Sequence, residues 1–162
     1  MSMTDTLANS DQPAVQPQIR VIAQYVRDFS IETPNFERML GGPVESPIIK
    51  VEVNAGARRL AANNAYESSM TIKATASNTT GTLYDMELDY VGVFVIENIP
   101  PQAMEPFLLI NCPTLLFPYA RRIIGDMTRE AGYPPLLLDP IDFGRMFMER
   151  VKSADGANGV TS

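Results

Sequence analysis

The chain has 162 residues, a length typical of one domain built around one hydrophobic core. Hydrophobic residues make up 45% of the sequence and charged residues 20%, a composition that excludes global disorder and a long coiled coil. The formal net charge of -6 argues against a role on nucleic acid or on an anionic membrane surface, because both would repel the chain.

Histidine is absent and Cys112 is the only cysteine, which removes most familiar catalytic and metal-binding designs. A single cysteine cannot form an intramolecular disulfide, and residues 1–20 lack the pattern of a signal peptide, so we expect a cytoplasmic location. The apolar runs are too short to cross a bilayer. No glycine-rich phosphate-binding motif occurs either, and we expect neither a cofactor nor a metal site.

The first half of the chain predicts strands. Residues 1–18 are polar and contain two prolines, which predicts a flexible N-terminal arm. From Ile19 onward apolar and polar residues alternate, which predicts a long strand with one buried face. The predicted members of that face are Ile19, Val21, Ala23, Tyr25, Phe29 and Ile31. After the prolines and glycines between Pro34 and Pro47, a second strand is expected around Ile49, Val51 and Val53.

A hairpin is predicted next. A third strand near Ala65–Ser77 leads through the turn residues of Asn78–Gly81 into a fourth. In the first half of that strand Asp85, Glu87 and Asp89 alternate with large apolar residues, so one face meets water. The segment Val91–Ile96 is apolar on both faces. Covering both faces in a small domain requires further elements or another subunit, which favours an oligomer.

The second half predicts helices. Asn111 or Cys112 is expected to cap a helix with Pro113 in its first turn, which continues to Ala131 and ends at Gly132. The linker Leu136–Leu138 is too apolar for an ordinary surface loop. Asp139 or Asp142 is expected to cap a short final helix, and residues 152–162 are predicted to form a flexible tail.

This order of elements predicts an α+β fold. A four-stranded antiparallel sheet would carry the long helix and the short C-terminal helix packed on one face, within a single domain of residues 19–151.

Two sets of residues could carry chemistry. Clustered carboxylates raise one another's pKa, so Asp85, Glu87 and Asp89 could serve as an acid/base site; a solvated strand face is the other interpretation. Cys112 lies at a predicted helix start, but without a histidine to accept its proton it is expected to be a buried or capping residue. A small α+β carboxylate-based enzyme or ligand-binding protein therefore stays open as an alternative.

Two stretches carry a family resemblance. Cys112–Arg121 (CPTLLFPYAR) and Tyr133–Phe143 (YPPLLLDPIDF) closely resemble the signature of the SecB protein-export chaperone family. Tyr25–Asn35 resembles the first strand of that family. The likeness runs in the same order from Ile19 to Lys152, and the N-terminal arm with Pro13-Ala14 resembles that of the alpha-proteobacterial branch.

The resemblance implies an ATP-independent cytosolic chaperone rather than an enzyme. Members of the family form a homotetramer, a dimer of dimers, that holds unfolded precursor proteins and delivers them to the SecA translocation ATPase. Neither a cofactor, nor nucleic acid, nor membrane insertion belongs to that activity. Gly132–Asp142 would then be the crossover loop beside the client groove.

The resemblance also implies three groups of site residues. The client-binding groove would contain Leu136, Leu137, Leu138, Phe143 and Phe147. The acidic surface that contacts SecA would contain Asp28, Glu32, Asp85 and Glu87, of which Asp85 departs from the aliphatic residue common in the family. The helix at the tetramer interface would contribute Leu116, Tyr119, Ile123 and Met127.

Overall fold

The sheet has four antiparallel strands. The computed structural model describes residues 15–42 and 45–158. Its strands are β1 (Gln18–Glu32), β2 (Ile48–Arg59), β3 (Ala65–Asn78) and β4 (Gly81–Glu97), in the order β1-β4-β3-β2. Since β1 and β2 are the two edges, the connection between them crosses the sheet, and it contains a 3₁₀ turn at Glu37–Met39. The crossover is therefore this connection, and not Gly132–Asp142, which the family resemblance implied.

The helices follow the sheet. They are α1 (Pro101–Pro106), a π-helical turn (Phe107–Asn111), α2 (Cys112–Glu130) and α3 (Phe143–Asn158). This arrangement confirms the predicted α+β class. The expected domain end at Val151 falls inside α3, which continues to Asn158. Residues 1–14 of the predicted arm and 159–162 of the predicted tail lie outside the described residues. Within the described ranges, no helix combines the length and hydropathy that a membrane span requires.

The helical region begins earlier than predicted, at Pro101, and Pro113 lies inside it rather than at its start. Proline has no N–H, so the carbonyl oxygen of Leu108, five residues earlier, has no π-helical donor. The Ser68 hydroxyl on β3 donates to that oxygen instead, at 3.1 Å. Asn111 is itself helical and its side chain makes no capping bond, so the predicted cap is wrong. Through the bond from Ser68, the π-helical turn is linked to the sheet.

The core lies between the sheet and α2. Its fully buried members include Met86, Leu88 and Phe94 from β4 and Leu116, Ala120 and Ile124 from α2. Gly92 permits their close approach, since a Cβ atom there would lie 2.8 Å from Leu116 Cδ2. Cys112 is completely buried, as the structural interpretation of the sequence expected, and burial raises the pKa of its thiol to about 12. This thiol is a small core group.

Two bulges in β1 correct the predicted buried face of that strand. The register slips between Val21 and Ala23 and again between Val26 and Asp28. Each extra residue reverses the alternation of side chains. Tyr25 and Ala23 therefore pair with Val91 and Val93 on the face away from the helices, whereas Ile19, Val21, Phe29 and Ile31 keep the predicted orientation. Although Val91 lies on the face away from the helices, it is fully buried within the single chain.

Candidate functional site

The loop from Gly132 to Asp142 is fixed at its start by the end of α2. Gly132 has a φ of +94°, and its N–H donates to the Arg129 carbonyl at 3.0 Å. The Tyr133 N–H donates to the Thr128 carbonyl at 3.2 Å, which completes a Schellman motif. A side chain at Gly132 would collide with the ring of Phe36, because a Cβ there would lie 2.6 Å from Phe36 Cε2. These contacts fix the direction in which the loop leaves the end of α2.

Two polar side chains of α2 hold the rest of the loop. The buried Thr128 hydroxyl accepts from the Leu136 N–H at 2.9 Å and donates back to the Ile124 carbonyl at 2.9 Å. The Arg121 Nε–H donates to the Leu138 carbonyl at 2.8 Å. At the far end the Asp142 carboxylate accepts from the Arg145 N–H at 3.0 Å, so Asp142 caps α3, one of the two predicted caps. These hydrogen bonds hold the loop against α2 and join it to the start of α3.

One apolar groove lies between this loop, α3 and the helix-side face of β2. We call it the α3 groove; its volume is about 880 Å³. Its apolar lining residues are Val51, Val53, Ala55, Leu109, Leu138, Pro140, Ile141, Met146 and Phe147, and its polar ones are Asn54, Asp139, Glu149 and Arg150. Val51 and Val53 are incompletely covered because they lie on an edge strand.

A second cleft lies at the other end of the same loop. We call it the aromatic cleft; its volume is about 780 Å³, and Phe36, Met39, Leu40, Leu83, Tyr133 and Pro134 supply its apolar lining. Tyr133 is central, with its ring centroid 5.6 Å from that of Phe36 and 5.5 Å from that of Tyr84. The Asn35 amide donates to the Thr82 carbonyl at 3.0 Å and so fixes the crossover beside the cleft. Burial raises the pKa of Tyr133.

The predicted groove residues do not stay together. Leu138 and Phe147 line the α3 groove. Leu136 packs partly against the core and Phe143 is buried within it. Leu137 is 65% exposed but lines neither cleft; it lies over α2, where its Cδ2 would be 3.6 Å from a Cβ at Gly125.

The aromatic cleft was missed by sequence reasoning, although a signal was present. Phe36, Met39 and Leu40 place three large apolar residues in a short connection rich in turn residues. That pattern is as unusual for a surface loop as the three consecutive leucines of Leu136–Leu138.

The predicted acidic residues do share one surface. On the face away from the helices Asp28 lies opposite Asp89, Ser30 opposite Glu87, and Glu32 opposite Asp85. We call Asp28, Glu32, Asp85 and Glu87 the acidic face. Lys73 on β3 lies opposite Glu87.

The alternative of a carboxylate-based enzyme does not fit the positions of these side chains. It required Asp85, Glu87 or Asp89 in a groove below the helices, yet all three belong to the opposite side of the sheet from the core residues Met86 and Leu88. The carboxylates form an open row rather than an enclosed acid/base pair.

A charged cluster closes the acidic face at one end. Arg27, the extra residue of the second bulge, donates through Nε to Asp89 at 2.8 Å and through Nη1 to Glu67 at 2.7 Å. Arg58 donates to the other Glu67 oxygen at 2.9 Å. Hydrogen bonding from Arg58, joined by that from Arg27, holds the pKa of Glu67 below its usual value although burial opposes the shift. A buried carboxylate is thereby satisfied by two arginines.

Replacing Glu67 with Gln should lower the free energy of unfolding by about 2 kcal/mol at pH 7, because charge-assisted bonds become neutral ones. The lowered pKa means that the carboxylate stabilises the fold above its unfolded-state pKa and ceases to do so as the pH falls through the folded-state value. Urea melts from pH 7 to 3 should show the difference between wild type and Glu67→Gln shrinking below about pH 4. The exposed Glu52→Gln is the control. A difference that is constant with pH would contradict a charged Glu67.

The outer side of α2 and the edge strand β1 are two further exposed parts of the molecule. Tyr119 is 53% exposed, and Ile123 and Met127 are half-buried, so these predicted interface residues lie on the accessible side of the helix. Leu116 is fully buried under α2, which makes it a core residue and not a member of that surface. On β1 the side chains of Ile19, Val21, Ile22, Tyr25 and Val26 are exposed.

Known proteins resemble the chain over most of its length. A family model described as preprotein translocase subunit SecB matches residues 12–154. A protein-export protein SecB from Cereibacter sphaeroides is 44% identical over 157 residues, which cover 94% of this chain and 95% of that protein. A protein of the same name from Afipia carboxidovorans is 40% identical over 149 residues, 92% of each chain.

The fold also resembles a solved structure. A Mycobacterium tuberculosis SecB-like chaperone, determined in complex with a ChAD peptide from the HigA1 antitoxin, superposes with a TM-score of 0.62. That match covers 76% of this chain and 90% of the other, at 12% sequence identity, so it concerns the fold alone. The family model and the curated relatives span nearly the whole chain, and the chain belongs to the SecB family.

Proposed function

We propose that the protein is an ATP-independent cytosolic chaperone that binds unfolded precursor proteins and delivers them to the SecA ATPase for export. The observation that carries this proposal is the division of the sheet: apolar clefts lie on the helix side and the acidic face lies on the other. A client and a basic partner can therefore bind without competing for the same residues.

Binding in the clefts needs no chemical energy. Each client Leu or Phe side chain buried in an apolar cleft gains about 1.5 to 3 kcal/mol, so a few anchors offset the entropy lost on ordering the segment. The loop Gly132–Asp142 contributes to both the aromatic cleft and the α3 groove, so one extended segment can reach both. An unfolded chain is selected because a folded one hides such side chains.

Substituting Ser for Val51 and Phe147 together should weaken binding of an unfolded client about tenfold, because both side chains line the α3 groove and neither is fully buried. Fluorescence anisotropy with a labelled unfolded client measures the Kd. Leu137→Ser is the matched control, since Leu137 is exposed but lines neither cleft. Equal weakening by both variants would place the client on a different surface.

The acidic face is suited to attracting a basic partner. Asp28, Glu32 and Asp85 are exposed, and the electrostatic attraction of such carboxylates is long-ranged at low salt. At physiological salt it decays over a Debye length of about 8 Å. We assign this face to the contact with SecA.

Charge reversal of Asp28 and Glu87 to Lys should slow or abolish association with SecA while leaving the Kd for an unfolded client unchanged. Stopped-flow association rates at several salt concentrations measure the effect, and the reversed variant should lose most of the salt dependence. Glu130→Lys with Asp155→Lys makes the same change in net charge at exposed helical positions. Loss of client binding in the first variant would contradict the division between the two faces.

A homotetramer, built as a dimer of dimers, fits the exposed surface of β1 and α2. β1 is an edge strand about 50 Å long. Between Ile19 and Val26 Arg20 is its one charged residue, so little discourages pairing with a second copy. The other edge strand, β2, is protected by charged residues, among them Lys50, Glu52, Arg58 and Arg59. We place the dimer contact at β1 and the contact between dimers at Tyr119, Ile123 and Met127.

Placing Lys at Ile22 and Val26 should convert tetramers into smaller species, because desolvating two ammonium groups at a strand pairing is unfavourable. Light scattering coupled to size exclusion gives the molar mass. Ile48→Lys, at a 70% exposed position on β2, is the control and should leave the mass unchanged. An intact tetramer in the Ile22 and Val26 variant would exclude the β1 edge as the contact.

A further inference from the structure

The methionines of the chain differ in their access to solvent. Of the nine, Met1 and Met3 lie outside the described residues. Met70 and Met86 are fully buried in the core, whereas Met39 lines the aromatic cleft and is half-buried. An open cleft of about 780 Å³ admits a molecule as small as hydrogen peroxide, so a dissolved oxidant can reach the Met39 side chain.

The Met39 sulfur is held beside a polar group. Met39 ends the 3₁₀ turn of the crossover, and its N–H donates to the Phe36 carbonyl at 3.1 Å. The Tyr133 hydroxyl donates to Met39 Sδ at 3.9 Å. A thioether sulfur has two lone pairs and is a weak acceptor. The bond from Tyr133 uses one lone pair and leaves the other for an oxidant.

We propose that Met39 is a site of reversible oxidation by peroxide, and that its oxidation lowers the affinity of the aromatic cleft for unfolded clients. The free lone pair of Sδ attacks one oxygen of hydrogen peroxide, and the O–O bond breaks as the S–O bond forms. The proton on the attacked oxygen passes to the leaving oxygen, which departs as water. The thioether is oxidised by two electrons to a sulfoxide, and the peroxide is reduced by the same two electrons.

Oxidation places a polar group inside an apolar cleft. The sulfoxide oxygen is a stronger hydrogen-bond acceptor than the thioether, and the Tyr133 hydroxyl already lies where it can donate to that oxygen. Burial raises the pKa of Tyr133, so its hydroxyl keeps its proton at neutral pH. An apolar client side chain that enters the cleft then meets the sulfoxide in place of an apolar surface, and binding weakens.

The inference rests on the proposed function, because it requires that unfolded clients occupy the aromatic cleft. It adds a regulation to that function: client binding weakens under oxidising conditions and recovers when the sulfoxide is reduced. Methionine sulfoxide reductases reverse this modification, whereas the further oxidation products of cysteine are largely irreversible. Cys112, which is completely buried, is not exposed to the same oxidant.

Treating the full chain with hydrogen peroxide, which is removed before binding is measured, tests the proposal. Mass spectrometry of proteolytic fragments gives the fraction of each methionine that has gained an oxygen. Fluorescence anisotropy gives the Kd for a labelled unfolded client that lacks methionine. Oxidation should weaken binding by wild type about tenfold, and methionine sulfoxide reductases should restore the original Kd.

Leucine variants identify the methionine responsible. Met39→Leu keeps an apolar side chain of similar size, so it should bind the client as wild type does and lose less than about twofold after oxidation. Met146→Leu, in the α3 groove, and Met148→Leu, at a 54% exposed position that lines neither cleft, are the controls. Both should weaken on oxidation as much as wild type.

Other results would overturn the inference. If Met148 is oxidised and Met39 is not, the oxidant does not reach the cleft. An oxidised Met39 with an unchanged Kd would refute the regulation and leave the proposed function standing. Protection by Met146→Leu in place of Met39→Leu would move the effect to the α3 groove, and loss of helical circular dichroism would attribute it to unfolding. Absence of client binding before oxidation would refute the proposed function and the inference with it.

Discussion

The close approach of α2 to β4 at Gly92 is the contact on which the other surfaces depend. A Cβ at Gly92 would lie 2.7 Å from Phe94 Cε2 and 2.8 Å from Leu116 Cδ2, so a larger residue there would have to displace these two core side chains. Because α2 lies there, Thr128 and Arg121 reach the following loop and hold it through the Leu136 N–H and the Leu138 carbonyl. That loop is the shared wall of the two apolar clefts. Displacing the helix would move both binding surfaces together.

The period of two in β4 separates the two proposed binding surfaces within one strand. Met86 and Leu88 face the helices and are buried, whereas Asp85 and Glu87, between them, belong to the acidic face. One strand therefore contributes apolar side chains to the core on one face and carboxylates to the acidic face on the other. Because adjacent side chains point to opposite faces, a partner bound to the carboxylates meets none of the cleft residues. The Arg27–Glu67–Arg58 cluster marks where the carboxylate rows end.

The sequence was most informative where local pattern decides the structure. Alternation in β4 located the acidic face correctly, because carboxylates cannot face a core. Alternation in β1 misled at Tyr25, because two bulges reverse the side-chain direction and leave no clear mark in the sequence. The start of the helical region was misplaced for a related reason: Pro113 indicates a first turn, yet Ser68, distant in sequence, satisfies the carbonyl that Pro113 leaves free.

The two clefts form through contacts between residues that are distant in sequence, so no local sequence pattern predicts them. Leu137 and Leu138 are neighbours of the same type, but one is 65% exposed and the other is buried, since Arg121 and Thr128 orient the loop. The aromatic cleft requires Phe36 to meet Tyr133, and only the packing of the crossover against the end of α2 brings them together. Sequence reasoning could therefore identify apolar loops, but it could not say which side chains form a surface.

The most direct measurement is the stoichiometry of a mixture of the protein, an unfolded client and SecA, obtained by light scattering coupled to size exclusion. Binding on opposite faces of the sheet predicts a ternary complex whose mass is the sum of its parts. It also predicts a Kd for SecA that changes by less than about twofold when the clefts are saturated with client. Displacement of the client by SecA, with no ternary species at any ratio, would contradict the separation of the two surfaces.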